Sequence, residues 1–89
     1  MLKKRALEQI VRGFSNHRRI QMLVLIDANP ELSLSEIASK LKFNIKTASG
    51  HLRRLIVAGL ILKKSEGNNV RHKLSVRGKY ILSFLISLE

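Results

Sequence analysis

A chain of 89 residues has room for one domain, residues 1–89, built on a single modest core; apolar residues at 45% suffice for it, but aromatics at 4% leave the packing to Leu, Ile and Val. Cysteine is absent, which removes disulfides, thiolate metal sites and thiol nucleophiles and agrees with a reducing cytoplasmic setting. Seventeen Lys and Arg against six Asp and Glu give a net charge of +11, so the expected partner is a polyanion.

Leu2, Ala6, Leu7, Ile10, Val11 and Phe14 recur at helical spacing with Lys4, Arg5, Glu8, Gln9 and Arg12 opposite them, which predicts an amphipathic first helix. Gly13 and the Ser15-Asn16 pair are expected to end it and to cap the next. From His17 to Ala28 the pattern is apolar nearly all round after a basic first turn, so the second helix belongs at the centre of the domain. Its run from Met22 to Ile26 is too short to span a bilayer, and no signal-peptide layout is present; a soluble cytoplasmic protein is expected. Asn29-Pro30 breaks the helix.

Ser33-Leu34-Ser35-Glu36 has the form of a capping box, opening a short helix with Leu34, Ile37, Ala38 and Leu41 inward. Asn44 is a suitable cap for the next helix, about 45–58, with Ala48, Leu52, Leu55 and Ile56 inside and Gly59 closing it. Leu60 to Lys64 and Val70 to Leu74 alternate as short strands around a Gly67-Asn68-Asn69 turn. Ser75 caps a last helix from Val76 to Leu88. The fold class is mainly α with a small β-hairpin: about five helices and a two-stranded wing, a winged helix-turn-helix.

The stretch SLSEIASKLKFNIKTASGHLRRLIVAGLIL resembles the helix-turn-helix of ArsR-type repressors and, slightly less closely, that of MarR-type regulators. The shared run is carried by Ser49, His51, Leu52, Leu55, Ala58, Gly59, Leu60 and Ile61, and Asn16 to Leu23 is similar to the start of the families' second helix. The resemblance implies a DNA-binding transcription regulator that dimerises through its first and last helices.

The chemistry supports duplex DNA as the partner without the family name. At ~100° per residue, burying Ala48, Leu52 and Leu55 turns Ile45, Lys46, Ser49, Gly50 and Arg53 outward, where a helix in the major groove reads base edges. Asn44, Thr47 and Arg54 are added as residues at the edge of that surface, near phosphates, and His51 as a hydrogen-bonding residue near the DNA backbone or within the fold. Lys63, Lys64, Asn68, Asn69, Arg71, His72 and Lys73 are the wing candidates, about 61–74, of which strand alternation lets only part face DNA. Gly50 stands mid-helix either because DNA approaches the backbone closely or as a tolerated surface residue. Leu2, Ala6, Leu7, Ile10 and Phe14 of the first helix, and Tyr80, Leu82, Phe84, Leu85 and Ile86 of the last, are the expected homodimer interface. On the last helix Leu82 and Ile86 are expected to lie outside the main apolar stripe.

His17, His51 and His72 show no ligand-like spacing, and the last helix has no histidine or aspartate, so no metal, cofactor or small-molecule ligand is expected. No nucleophile lies beside a base and no Gly-rich phosphate loop occurs, which leaves an enzyme without support. The expectation is a sequence-specific regulator, acting as a repressor. The alternatives are an RNA-binding or architectural winged helix, disfavoured by the lack of solvent-side aromatics for stacking bases, and a protein-interaction module, disfavoured by the charge.

Overall fold

The computed structural model describes residues 2–89. Helix α1 (Lys4–Phe14) is followed by α2 (His17–Ala28), α3 (Leu34–Leu41) and α4 (Ile45–Val57); strands β1 (Ile61–Glu66) and β2 (Asn69–Leu74) form an antiparallel hairpin, and α5 (Val76–Ser87) closes the order. This is the predicted winged helix-turn-helix, with β1 extending two residues further than its apolar pattern.

Local chemistry sets most helix boundaries. The Asn16 side chain accepts from the N–H groups of Arg18 and Arg19, and Asn44 accepts from that of Lys46. At α3 the capping box is complete: Ser33 Oγ accepts from the Glu36 N–H, and the Glu36 carboxylate accepts from the Ser33 N–H at 3.0 Å. The Ser75 hydroxyl accepts from the Gly78 N–H and donates to the Gly59 carbonyl at 2.6 Å, joining the start of α5 to the end of α4. Such caps are each worth about 1 kcal/mol. At the end of α4, Gly59 takes φ 76°, and the N–H groups of Gly59 and Leu60 return to the carbonyls of Ile56 and Leu55. Lys42 plays the same part after α3 at φ 58°, without being glycine.

The core is centred on α2, as its pattern required. Met22, Leu23 and Ile26 are buried there with Ile37 of α3, Leu52 and Leu55 of α4, Leu60, Ile61, Leu74 and Leu82. Each such side chain withdrawn from water contributes ~1.5–3 kcal/mol. The hairpin is fastened to this core by a bridge between Leu32 and His72. The Glu31 N–H donates to the His72 carbonyl, the His72 N–H donates to that of Leu32, and His72 Nδ1 donates to the same Leu32 carbonyl at 2.8 Å.

Several expectations change. Gly13 does not end α1; it is buried inside the helix, where a methyl group would overlap that of Ala58 at the end of α4. Ile10 and Phe14 pack against the domain's own core, so the α1 stripe is shared between the interior and an exposed remainder of Leu2, Leu7 and Val11. On α5 the burial differs in part: Ile86 is exposed as expected, and Ile81 and Leu85 are partly buried. Leu82, expected to lie outside the stripe and at the dimer interface, is 5% exposed and belongs to the core, whereas Tyr80 is 74% and Phe84 54% exposed. Gly78 is the cause: a side chain there would meet the Leu60 carbonyl, so α5 lies close at that point and the residue one turn on, Leu82, is carried inward.

Candidate nucleic-acid interface

Helix α4 lies against α3 and β1 with Ala48, Leu52 and Leu55 buried, and this fixes what it shows to solvent. Ile45, Lys46, Ser49, Gly50, Arg53 and Arg54 are all exposed; Thr47 and His51 are half-buried at one edge. The helix carries no acid. Asn44 is exposed, but its Oδ1 is committed to the Lys46 N–H at 2.8 Å, so it positions the first turn of α4.

The hairpin register sorts the wing. Lys64 pairs with Arg71, Leu62 with Lys73 and Lys63 with His72. Directly opposed residues share a face and neighbours alternate, so Lys64, Arg71 and Lys73 lie on one side of the ribbon and Lys63 on the other. Asn68 and Asn69 are exposed at the tip. Lys64 is drawn to Glu66 at 3.2 Å, an exposed pair of small worth, and Arg71 Nη1 donates to the Glu31 carbonyl. His72 leaves the candidate list, since the bridge that anchors the wing takes its side chain into the interior.

The structure adds basic residues from the first half of the chain to this surface. Arg18, at the start of α2, stacks its guanidinium 5.3 Å from the Phe43 ring centroid, in the turn between α3 and α4. Arg19 Nη1 donates to His51 Nδ1 at 3.4 Å and its Nη2 to the Arg12 carbonyl, while its buried Nε has no partner among the described residues. A guanidinium can only donate, so His51 is the neutral tautomer with its proton on Nε2. Burial, then Arg19, Arg18, Arg54 and His17, holds the His51 pKa below its ordinary value. Burial, with Arg54 behind it, also lowers that of Arg19. Thus His51 is held by Arg19 at the edge of α4 and does not stand on its outer face.

Between α1 and α4 runs a groove of about 720 Å³, with Arg5 and Arg12 on one wall, Arg53 and Arg54 on the other, and Gly50 on its lining. The α1 arginines were visible in the sequence as residues seven apart on the polar side of that helix, opposite its apolar stripe. Among the described residues, no three His, Cys, Asp or Glu side chains gather where they could hold a metal ion, and no helix is long and apolar enough to cross a membrane.

Comparison with known proteins places this surface in context. The model of the MarR family matches residues 16–73, the stretch from the cap of α2 through the wing. Reduced HlyU from Vibrio cholerae N16961 is 30% identical over 93% of this chain and 87% of its own, with a TM-score of 0.78. The transcriptional regulator HlyU from Vibrio vulnificus CMCP6 is 31% identical over 92% of this chain and 85% of its own, with a TM-score of 0.75. A homodimeric winged helix-turn-helix DNA-binding domain from Mycobacterium bovis, described as a possible ArsR-family regulator, is 25% identical over 93% of this chain and 76% of its own, at a TM-score of 0.80. Both families that the sequence resembles are thus represented. No curated protein sequence matches the chain.

Proposed function

Because the chain belongs to the MarR family of winged-helix transcription regulators, we propose that it binds duplex DNA sequence-specifically as a homodimer and represses transcription from the bound site. The observation that carries this reading is the outer face of α4, where Lys46, Ser49, Gly50 and Arg53 are exposed on a helix without acids, beside the basic face of the wing. Lys46 and Ser49 reach base edges in the major groove; Lys64, Arg71 and Lys73 neutralise phosphates beside it. Ile45, 53% exposed at the start of the helix, is suited to a thymine methyl group.

Dimerisation draws on the apolar surface that the domain leaves uncovered: Leu7 and Val11 on α1, Tyr80 and Phe84 on α5, and Leu88 at its end. The homodimeric Mycobacterium bovis relative supports it. A two-fold dimer sets its recognition helices about one DNA turn apart, ~34 Å, and calls for a near-palindromic site.

Selection of bound fragments from genomic DNA is the test, followed by titration of the recovered duplex. Affinity is expected to fall by ~10³ or more between 50 and 200 mM salt for six to ten phosphate contacts. Lys46→Ala is expected to cost ~1–3 kcal/mol on the selected duplex, while Lys64→Ala or Lys73→Ala lowers affinity for all sequences alike. Equal losses on selected and random duplex from both groups would remove α4 from the reading role.

A further inference from the structure

We propose that the groove between α1 and α4 seats a phosphodiester strand of the bound duplex, which makes α1 a DNA-contacting helix. This rests on the duplex-DNA reading above and extends the interface beyond the helix-turn-helix and wing. Three features of the groove carry it.

The first is charge. Arg5 and Arg12 from α1 face Arg53 and Arg54 from α4 across the groove, and its one acid, Glu8, is engaged by Arg12 at 3.2 Å. Guanidinium groups favour phosphate oxygens because their fixed fork matches two of them. The Arg12 side chain is 79% exposed, so the site lacks the buried donors that enclose a small anion. A row of solvated cations suits a strand that presents a charge every ~3.4 Å.

The second is space. A Cβ at Gly50 would meet nothing within 4 Å, so the groove is open down to the α4 backbone at that point. Gly50 and Arg53 belong both to the groove and to the outer face of α4, so a strand flanking the occupied major groove continues into it without a break.

The third is the division of α1. At ~100° per residue, Leu7 and Val11 fall on one side of the inward-facing stripe of half-buried Ala6, Ile10 and Phe14 with buried Gly13, and Arg5, Gln9 and Arg12 fall on the other. A dimer closed over the apolar side leaves the arginine side open.

The experiment compares two double variants of the full chain on the same selected duplex, with thermal melts to establish folding. Arg5→Ala with Arg12→Ala removes two charges from the groove; Lys3→Ala with Lys4→Ala removes two at the start of α1, outside the groove. The groove variant is expected to reduce the slope of log affinity against log salt by ~1 per lost contact, about 2 per subunit, with the control at the wild-type slope. Glu8→Gln, which removes the opposing carboxylate, is expected to tighten binding severalfold. Identical behaviour of the two double variants, or unchanged or weaker binding by Glu8→Gln, overturns the proposal. If wild type binds steeply with salt and Lys46→Ala weakens it while the groove variant tracks its control, the groove assignment alone fails. If wild type does not bind duplex DNA, the underlying reading fails.

Discussion

Replacing Gly50 by alanine separates what the position does for the fold from what it does for binding. Gly50 is the sixth of thirteen residues of α4, fully within the helix, and is exposed, with nothing within 4 Å of an added Cβ. Glycine in such a position costs about 1 kcal/mol relative to alanine, through backbone entropy that no contact here returns. For a domain of this size ~1 kcal/mol corresponds to a rise of ~4–8 °C in melting temperature at fixed protein concentration. Stability taken alone therefore favours alanine. If a phosphodiester strand passes over this point, the same methyl group holds it away from Arg53 and Arg54, and affinity should fall tenfold or more, ~1.4 kcal/mol. Differential scanning calorimetry and duplex titration on one preparation read both quantities. A higher melting temperature with undiminished DNA affinity would refute the close approach; a lower one would show that the glycine serves the fold.

Gly78→Ala should act in the opposite sense, costing ~1–3 kcal/mol in urea midpoint because its methyl meets the Leu60 carbonyl, and a variant as stable as wild type contradicts the packing described. Tyr80→Glu with Phe84→Lys should give a folded monomer in sedimentation equilibrium; a wild type that is itself monomeric at micromolar concentration disposes of the dimer. His51 is held neutral by burial and by Arg19, Arg18, Arg54 and His17, so its folded pKa lies below its unfolded value. The associated stability is complete above about pH 6.5 and is lost as pH falls from there toward the folded pKa, because the unfolded chain takes the proton first. Urea midpoints should fall between pH 7.5 and 5.5 in wild type and much less in His51→Gln; equal slopes would disconnect the imidazole from the trend. The Glu36 carboxylate, lowered by its bonds to the Ser33 backbone and side chain, acts in a separate window, with stability lost as pH falls below the ordinary carboxylate range.

What could be read directly was what depends on near neighbours in the chain. Asn16, Ser33 with Glu36, Asn44 and Ser75 all cap where expected, since each cap is satisfied within three residues. The outward set on α4 was legible because alternating Ala48, Leu52 and Leu55 leave one way to bury the helix. On α5 this logic failed: Ile81, Leu82, Phe84, Leu85 and Ile86 offer apolar residues on several sides, and the choice fell to contact between Gly78 and Leu60. His72 misled for the same reason, as its partner Leu32 lies forty positions away in a loop. Arg5 and Arg12 received no role from the sequence because nothing in α1 announces that α4 will pack beside them.

The pleat of the hairpin makes wing length a discrete quantity. Leu32 fastens the ribbon at His72, and three pairs project beyond it, Lys64 with Arg71, Ser65 with Val70 and Glu66 with Asn69, about 10 Å at ~3.3 Å per residue. An insertion of one residue in each strand just above the anchor would turn Lys64 and Arg71 onto the side now held by Lys63, inverting the charged and plain faces of everything further out. Two residues in each strand would keep the faces and lengthen the arm by ~7 Å. Wings built on this anchor can therefore diverge in reach only by whole pleats, and a change of half a pleat moves the arm's cations to the opposite face of the ribbon.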